Sequence, residues 1–369
     1  MHKKAAVFVG PKHPFQVREY PISAPAPGQV GLELLASGIC GTDVHIQQGC
    51  LAMPSFPLVT GHEFVGTVAA LGQGAEHDAA GEKLQVGDRA VACVALPCGK
   101  CLNCRRGETA SCLSFGVTYV KDVNEEPHFC GGFAEYLFSP AGNLVKLPAG
   151  VDPLAAAACP CGGPTIIRAC TYGGGLHSGE LVIIQGNGAL GLFALAYAKD
   201  QGCRVVLIGS AKDPQRLELS KALQPDCFLD YRQYSPEELQ QRVSALAAGC
   251  QRGDGADVVI ETSGDPGAFP LGLQLLRTRG RYFVPGQYSD RGSVSIPPHL
   301  ITFRALQIIG SGQYTLQDVL EYLQFLARRQ DLQPLFRQML SSYPVSDIDQ
   351  AMAAAAAGQA IKAVLVPRS

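Results

Sequence analysis

The 369-residue sequence has no basic excess: 30 Lys and Arg stand against 32 Asp and Glu, a net charge of −2. That removes the usual electrostatic basis for binding nucleic acid or anionic lipid, and no acidic tail is present. A long apolar run is also missing. The longest such stretch, from Leu181 to Ala198, contains Gln185, Gly186, Asn187 and Gly188, so no membrane span is expected. The opening Met-His-Lys-Lys-Ala-Ala-Val-Phe-Val-Gly is too short in its apolar part for a signal peptide. No internal repeat occurs, and the alanine patch Ala353–Ala357 suggests no function. What remains is 47% hydrophobic and 17% charged, the make-up of a soluble globular protein with a large core. Its length exceeds one typical core and predicts two domains.

Cysteine, by contrast, is plentiful, at 14 residues. In a long chain with no signal peptide, clustered at metal spacing, these point to a reducing cytoplasm and not to a disulfide scaffold. Cys98, Cys101, Cys104 and Cys112 follow the spacing Cys-x2-Cys-x2-Cys-x7-Cys. Four thiolates so close in sequence can surround one tetrahedral Zn²⁺ and leave no open position, as a structural site does. Cys40 and His62 suggest a second zinc with a position left for chemistry. A third ligand is needed there, and Cys159 and Cys161 are both candidates. Glu63 can orient His62 or ligate on occasion. Cys50, Cys93, Cys130, Cys170, Cys203, Cys227 and Cys250 read as small core residues.

The first 150 or so residues carry short apolar runs between Gly and Pro turns, among them Val30–Leu35, Phe64–Ala70 and Arg89–Val94. These predict a β-rich domain. From about residue 155 strand and helix patterns alternate. Strands are expected at Leu181–Gln185, Arg204–Ile208, Cys227–Leu229, Asp257–Glu261 and Arg281–Pro285. Helices are expected at Ala189–Asp200, Pro214–Leu223, Pro236–Gly249 and Ala268–Leu276. Such alternation argues for a parallel sheet with helices on both faces. Beyond residue 310, helices Leu316–Arg329 and Val345–Gly358 and a strand Ala360–Val366 are expected to return to the first domain. The predicted division is 1–160 for a catalytic zinc domain with a structural lobe at 95–113, 161–309 for a dinucleotide domain, and 310–369 for the return.

Gly186-Asn187-Gly188-Ala189-Leu190-Gly191 follows a predicted strand and opens a predicted helix. In that context G-x-G-x-x-G is a dinucleotide fingerprint. Gly186 permits the tight turn, Gly188 lets a pyrophosphate approach the backbone, and Gly191 lets helix pack on strand. The helix N-terminus offers its N–H groups to the phosphates. A site for NAD places a carboxylate at the end of the second strand. Here Gly209 and Ser210 stand there, followed by Lys212 and Arg216. A hydroxyl and two cations can hold a 2′-phosphate, which favours NADP(H) over NAD(H).

Taken together, these residues resemble the zinc-dependent medium-chain dehydrogenase/reductases, the alcohol and polyol dehydrogenase superfamily, over nearly the whole chain. The matching segments are Cys40-Gly41-Thr42-Asp43-Val44-His45, Gly61-His62-Glu63-Phe64-Val65-Gly66, Val86-Gly87-Asp88-Arg89-Ala90-Val91, Gly132-Phe133-Ala134-Glu135-Tyr136 and Ile361-Lys362. The resemblance implies a GroES-like β-rich domain plus a Rossmann domain. It implies Cys40, His62 and Cys161 as catalytic zinc ligands, with Cys161-Gly162-Gly163-Pro164-Thr165 at the third-ligand position and Glu63 nearby. It implies that Thr42 hands on the substrate proton, that His45 receives it, and that Asp43 supports a ligand. Gly209-Ser210 and Tyr231 resemble NADP-dependent secondary-alcohol relatives, although Ala211 stands where those carry Arg. Homodimers or homotetramers are usual in the family.

The implied reaction is hydride exchange between an alcohol and NAD(P), with zinc as Lewis acid and an imidazole suited to proton release near neutral pH. Val94 stands where some relatives carry an aromatic, so a secondary, cyclic or polyhydroxy alcohol is expected over ethanol. Three other readings compete. A non-catalytic NAD(P)-binding protein would lack a ligand, and none is missing. A reductase of another carbonyl or an activated double bond is separated by zinc content. A nucleic-acid module on the four-cysteine lobe has Lys100, Arg105 and Arg106 in its favour, but Glu108 and few aromatics against it.

Overall fold

The computed structural model describes residues 1–287 and 289–368. Two compact units emerge: one of Met1–Pro164 with the segment from Tyr314 onward, the other of Thr165–Gln313.

The first unit is built on a seven-stranded sheet whose long central strand is Gln29–Gly38. Its residues Val30, Leu32, Leu34 and Ala36 are buried and alternate along the strand, the period-two signature of one face on a core. This strand pairs antiparallel with Glu63–Leu71, with Tyr136–Pro140 and with the C-terminal Lys362–Val366. The register decides what meets. Gly38 lies opposite Glu63 on one side and opposite Val364 on the other. Residues 40, 62–63 and 362, from distant parts of the chain, are therefore delivered to one end of the sheet. The core around it includes Phe64, Phe129, Phe133 and Leu137. The predicted strand Ala360–Val366 forms from Lys362, and the predicted helix Val345–Gly358 is a short 3₁₀ turn, Val345–Asp347, followed by the helix Ile348–Ala356.

The second unit is a six-stranded parallel sheet: β1 (Leu181–Gln185), β2 (Arg204–Gly209), β3 (Cys227–Asp230), β4 (Ala256–Glu261), β5 (Leu276–Val284) and β6 (Gln307–Gly310). Their spatial order is β3-β2-β1-β4-β5-β6, all parallel. This is the doubly wound order, with its switch point between β1 and β4. Every residue of β1 and of β4 is buried, as expected of strands covered on both faces. Helices Ala189–Asp200 and Pro236–Gly249 have the bounds their patterns predict. The latter is started by a capping box in which Ser235 and Glu238 bond each other's backbone. Three elements here were not read from the sequence: the helices Gly162–Tyr172 and Pro298–Arg304 and the edge strand β6. Among the described residues no helix is long and apolar enough to cross a membrane.

Candidate metal centres and dinucleotide site

Cys98, Cys101, Cys104 and Cys112 place their four sulfurs within 4.8 Å of one another. Backbone amides point at them. Cys98 N donates to Cys112 Sγ at 3.2 Å, Cys104 N to Cys101 Sγ at 3.5 Å and Ser114 N to Cys112 Sγ at 3.4 Å. The amides of Cys104 and Leu113 bring the Cys101 thiol down to about 6. A loop that turns N–H groups onto thiolates and supplies four sulfurs with no carboxylate or water position fits a closed zinc site.

The second cluster is Cys40, His62, Glu63 and Cys161, whose ligand atoms also lie within 4.8 Å of one another. Cys40 caps the helix Gly41–Gln48, and Asp43 Oδ2 accepts from its backbone N at 2.9 Å. Asp43 Oδ1 lies 3.3 Å from His62 Nδ1, which leaves Nε2 to face the cluster. Burial would push the His62 imidazole down, but the Asp43 charge, together with Cys161 and Cys40, holds it well above its ordinary value. A hydrogen bond from Cys161, against the effect of burial, holds the Cys40 thiol well below its ordinary value, while Cys161 is held well above. A thiolate, a second thiol and an imidazole gathered at one point, with a buried carboxylate beside them, form a donor set that fits zinc. Cys159 is not part of it. It is 2% exposed, and burial pushes its thiol up to about 12.

Glu63 is 1% exposed and forms an ion pair with Lys362, which is 7% exposed. Burial pushes the Glu63 carboxyl up to about 7, against the pull of the ammonium. The sequence had offered Lys362 only as a familiar residue; its partner was missed. The available signal was a single cation inside the apolar run Ala360–Val366. Tyr314 was missed entirely. Its buried phenol is held well above its ordinary value by burial first, then by the charges of Cys161 and Cys93. Thr42 Oγ1 lies 3.8 Å from Cys40 Sγ, and His45 follows one turn later on the same helix.

In the second unit the glycine-rich turn leaves β1. Gly186 has φ +111°, a conformation that side chains resist. A Cβ on Gly191 would collide with the Gly186 carbonyl, so helix Ala189–Asp200 can sit this close only with glycine there. At Gly188 a Cβ would meet only Arg216 Nη1, at 3.6 Å. That open space in front of a helix N-terminus is what a pyrophosphate needs. Asn187 bridges to β2: its Nδ2 donates to Ser210 O at 3.0 Å and its Oδ1 accepts from Ser210 N at 3.1 Å. Gly209 makes room for that side chain. Lys212 N donates to Ser210 Oγ at 3.2 Å, and Arg216 Nε reaches Asp213 Oδ2 at 3.1 Å. Tyr231, 55% exposed, bonds Gly209 O through its backbone N at 3.1 Å. Ala189 and Leu190 contribute the first turn of the helix.

Two family models match the chain. One, described as the alcohol dehydrogenase GroES-like domain, covers residues 26–149, and the other, zinc-binding dehydrogenase, covers residues 189–328. A 5-exo-hydroxycamphor dehydrogenase of Pseudomonas putida is 30% identical over 366 residues, 99% of this chain and 98% of that protein. The chain belongs to the zinc-type medium-chain alcohol dehydrogenase family. A sorbitol dehydrogenase of Halalkalibacterium halodurans is 30% identical, covering 96% of each chain. Among solved structures, an alcohol dehydrogenase of Thermotoga maritima superposes over 100% of both chains with a TM-score of 0.91 at 26% identity. This member of the zinc-type dehydrogenases is thus an NAD(P) oxidoreductase acting on CH–OH groups.

Proposed function

We propose that the protein interconverts a secondary, cyclic or polyhydroxy alcohol and its carbonyl compound, with a catalytic zinc held by Cys40, His62 and Cys161, a structural zinc held by the four-cysteine lobe, and NADP(H) as coenzyme. The observation that carries the reading is the meeting of Cys40, His62, Glu63 and Cys161, whose ligand atoms lie within 4.8 Å of one another, with His62 and Glu63 buried. When bound, the zinc supplies Lewis-acid polarisation of the substrate oxygen, and the nicotinamide carries the hydride.

The chain's own residues do the rest. Asp43 fixes the His62 ring, so the imidazole presents one nitrogen only. Glu63 is kept in place by Lys362. Thr42 takes the hydroxyl proton beside Cys40, and His45 carries it onward. For the substrate class, the supports are the aliphatic Val94 and two relatives named for a cyclic alcohol and a polyol. For the coenzyme, the supports are the absence of a carboxylate at the end of β2, the bond from Lys212 N to Ser210 Oγ, and Arg216 Nη1 facing the open position at Gly188.

Initial rates of the zinc-loaded protein against primary, secondary, cyclic and polyhydroxy alcohols, each with NAD⁺ and NADP⁺, test this. Turnover confined to primary alcohols, or a wild-type preference for NAD⁺ over NADP⁺, refutes the corresponding part. Thr42→Val is expected to lower kcat by roughly 10²–10⁴-fold, the range for losing a positioned proton-transfer group.

A further inference from the structure

We propose that Glu261 is a positioning residue for the dinucleotide: its buried carboxylate ties the loops leaving β4 and β5 together and, through Thr262, holds the glycine-rich turn that leaves β1. The inference rests on the coenzyme reading above and adds residues that the glycine fingerprint does not contain.

Glu261 ends β4 and is fully buried. It sits opposite Gln185, the last residue of β1, at the switch point of the sheet. In open parallel sheets ligands bind outside the carboxyl ends of the strands at that point. One carboxylate oxygen takes three donors. Glu261 Oε1 accepts from Ser263 N at 2.7 Å, Ser263 Oγ at 2.5 Å and Gly264 N at 2.9 Å. The turn after β4 is thereby wound onto the side chain that precedes it.

That turn carries Thr262. Its hydroxyl donates to Gln185 O at 2.7 Å and lies 3.4 Å from Gly186 O, and its backbone N donates to Gln185 O at 3.0 Å. The glycine turn fits against it closely. A Cβ on Gly186 would lie 3.0 Å from Thr262 Oγ1 and 3.1 Å from Ser263, and one on Gly191 would press on the same hydroxyl. The shape of the phosphate turn is therefore copied from the β4 turn. On the other side, Gly286 N donates to Glu261 O at 3.1 Å, and any side chain on Gly286 would run into Glu261 Oε2. That second oxygen lies beside Gln287 and completes no hydrogen bond among the described residues. Ser263 and Asp265, above the brace, are exposed. The carboxylate thus acts from beneath, while the turn it shapes is open to a ligand.

The test uses the zinc-loaded full chain and the fluorescence of NADPH or NADH. The sequence has no tryptophan, so the reduced nicotinamide is excited directly. Thr262→Val and Glu261→Ala are expected to weaken coenzyme binding by about tenfold or more, and Glu261→Gln, which keeps an acceptor at the Oε1 position, by no more than about threefold. The KM for coenzyme is expected to rise more than kcat falls. Unchanged coenzyme affinity in Thr262→Val and Glu261→Ala, with only the melting midpoint lowered, overturns the proposal. A loss in Glu261→Gln as large as in Glu261→Ala also overturns it, because the effect would then lie in the charge and not in the tie. Should Glu261→Ala fail to fold, Thr262→Val carries the test, since it keeps the branched shape and removes one hydroxyl. Wild-type protein that binds neither coenzyme overturns the coenzyme reading itself, and this proposal with it.

Discussion

Replacing Lys362 by Met tests whether the zinc-site end of the sheet depends on one buried ion pair. Lys362 and Glu63 are 7% and 1% exposed, and they come from strands paired to opposite edges of Gln29–Gly38. Met keeps the length and the apolar stem, so little packing is lost. What is lost is the only side-chain cation that pairs with Glu63 among the described ion pairs. Removing one partner of a buried pair costs roughly 3–5 kcal/mol, because a charge is left without compensation. A cation in the neighbouring cluster would offset part of that, so the lower end, about 3 kcal/mol, is expected. For a unit of about 220 residues each kcal/mol moves the midpoint by about 2–4 °C, so a drop of roughly 6–12 °C should follow. Calorimetry on protein of matched zinc content measures it, since zinc loss would lower the midpoint by itself. Adding Glu63→Gln removes the stranded charge and should recover all but about 1 kcal/mol. A loss below about 1 kcal/mol in Lys362→Met, or a double variant no more stable than the single, would show that the pair does not carry this region.

Three further outcomes are expected. Cys40→Ser should release one zinc equivalent and abolish turnover while the melting profile of the other unit stays in place; metal analysis showing two retained zinc ions would refute the ligand assignment. Cys104→Ser, or chelation of the lobe metal, should lower the midpoint of the first unit, because a structural metal supplies folding free energy; an unchanged midpoint after proven metal loss would contradict it. The third concerns pH. Burial raises the Glu261 carboxyl above its ordinary value, so the folded state binds its proton more tightly than the unfolded chain does. Its contribution to stability therefore falls as pH rises from the ordinary carboxylate range through the raised one. Glu261→Gln lacks that term, so its midpoint should gain on wild type as pH rises above the ordinary carboxylate range; a gap that stays constant or closes would refute the sign.

What could be read along the sequence was whatever depends on near neighbours. The four-cysteine lobe has its ligands within 15 positions, and the glycine fingerprint sits inside one strand-turn-helix unit, so spacing alone specifies both. The helix Pro236–Gly249 announces itself through Ser235, Pro236 and Glu238. The parallel sheet was legible because strands buried on both faces are unbroken apolar runs. The family resemblance then supplied Cys161 over Cys159, a choice that spacing could not make.

The unread features are those made by register. Lys362 meets Glu63 only because Gly38 is paired on both sides, and nothing within the run Ala360–Val366 says which carboxylate lies across the sheet. Glu261 was read only as the end of a strand and Thr262 not at all. The Thr262 hydroxyl reaches 76 and 77 positions back to Gly186 and Gln185, across a parallel pairing that fixes which strand ends are neighbours. Both cases share a physical cause. A charge in an apolar segment must find its partner where the desolvation would otherwise be uncompensated. A buried Lys or Glu in a sequence thus states that a partner exists, and only the strand order states who it is.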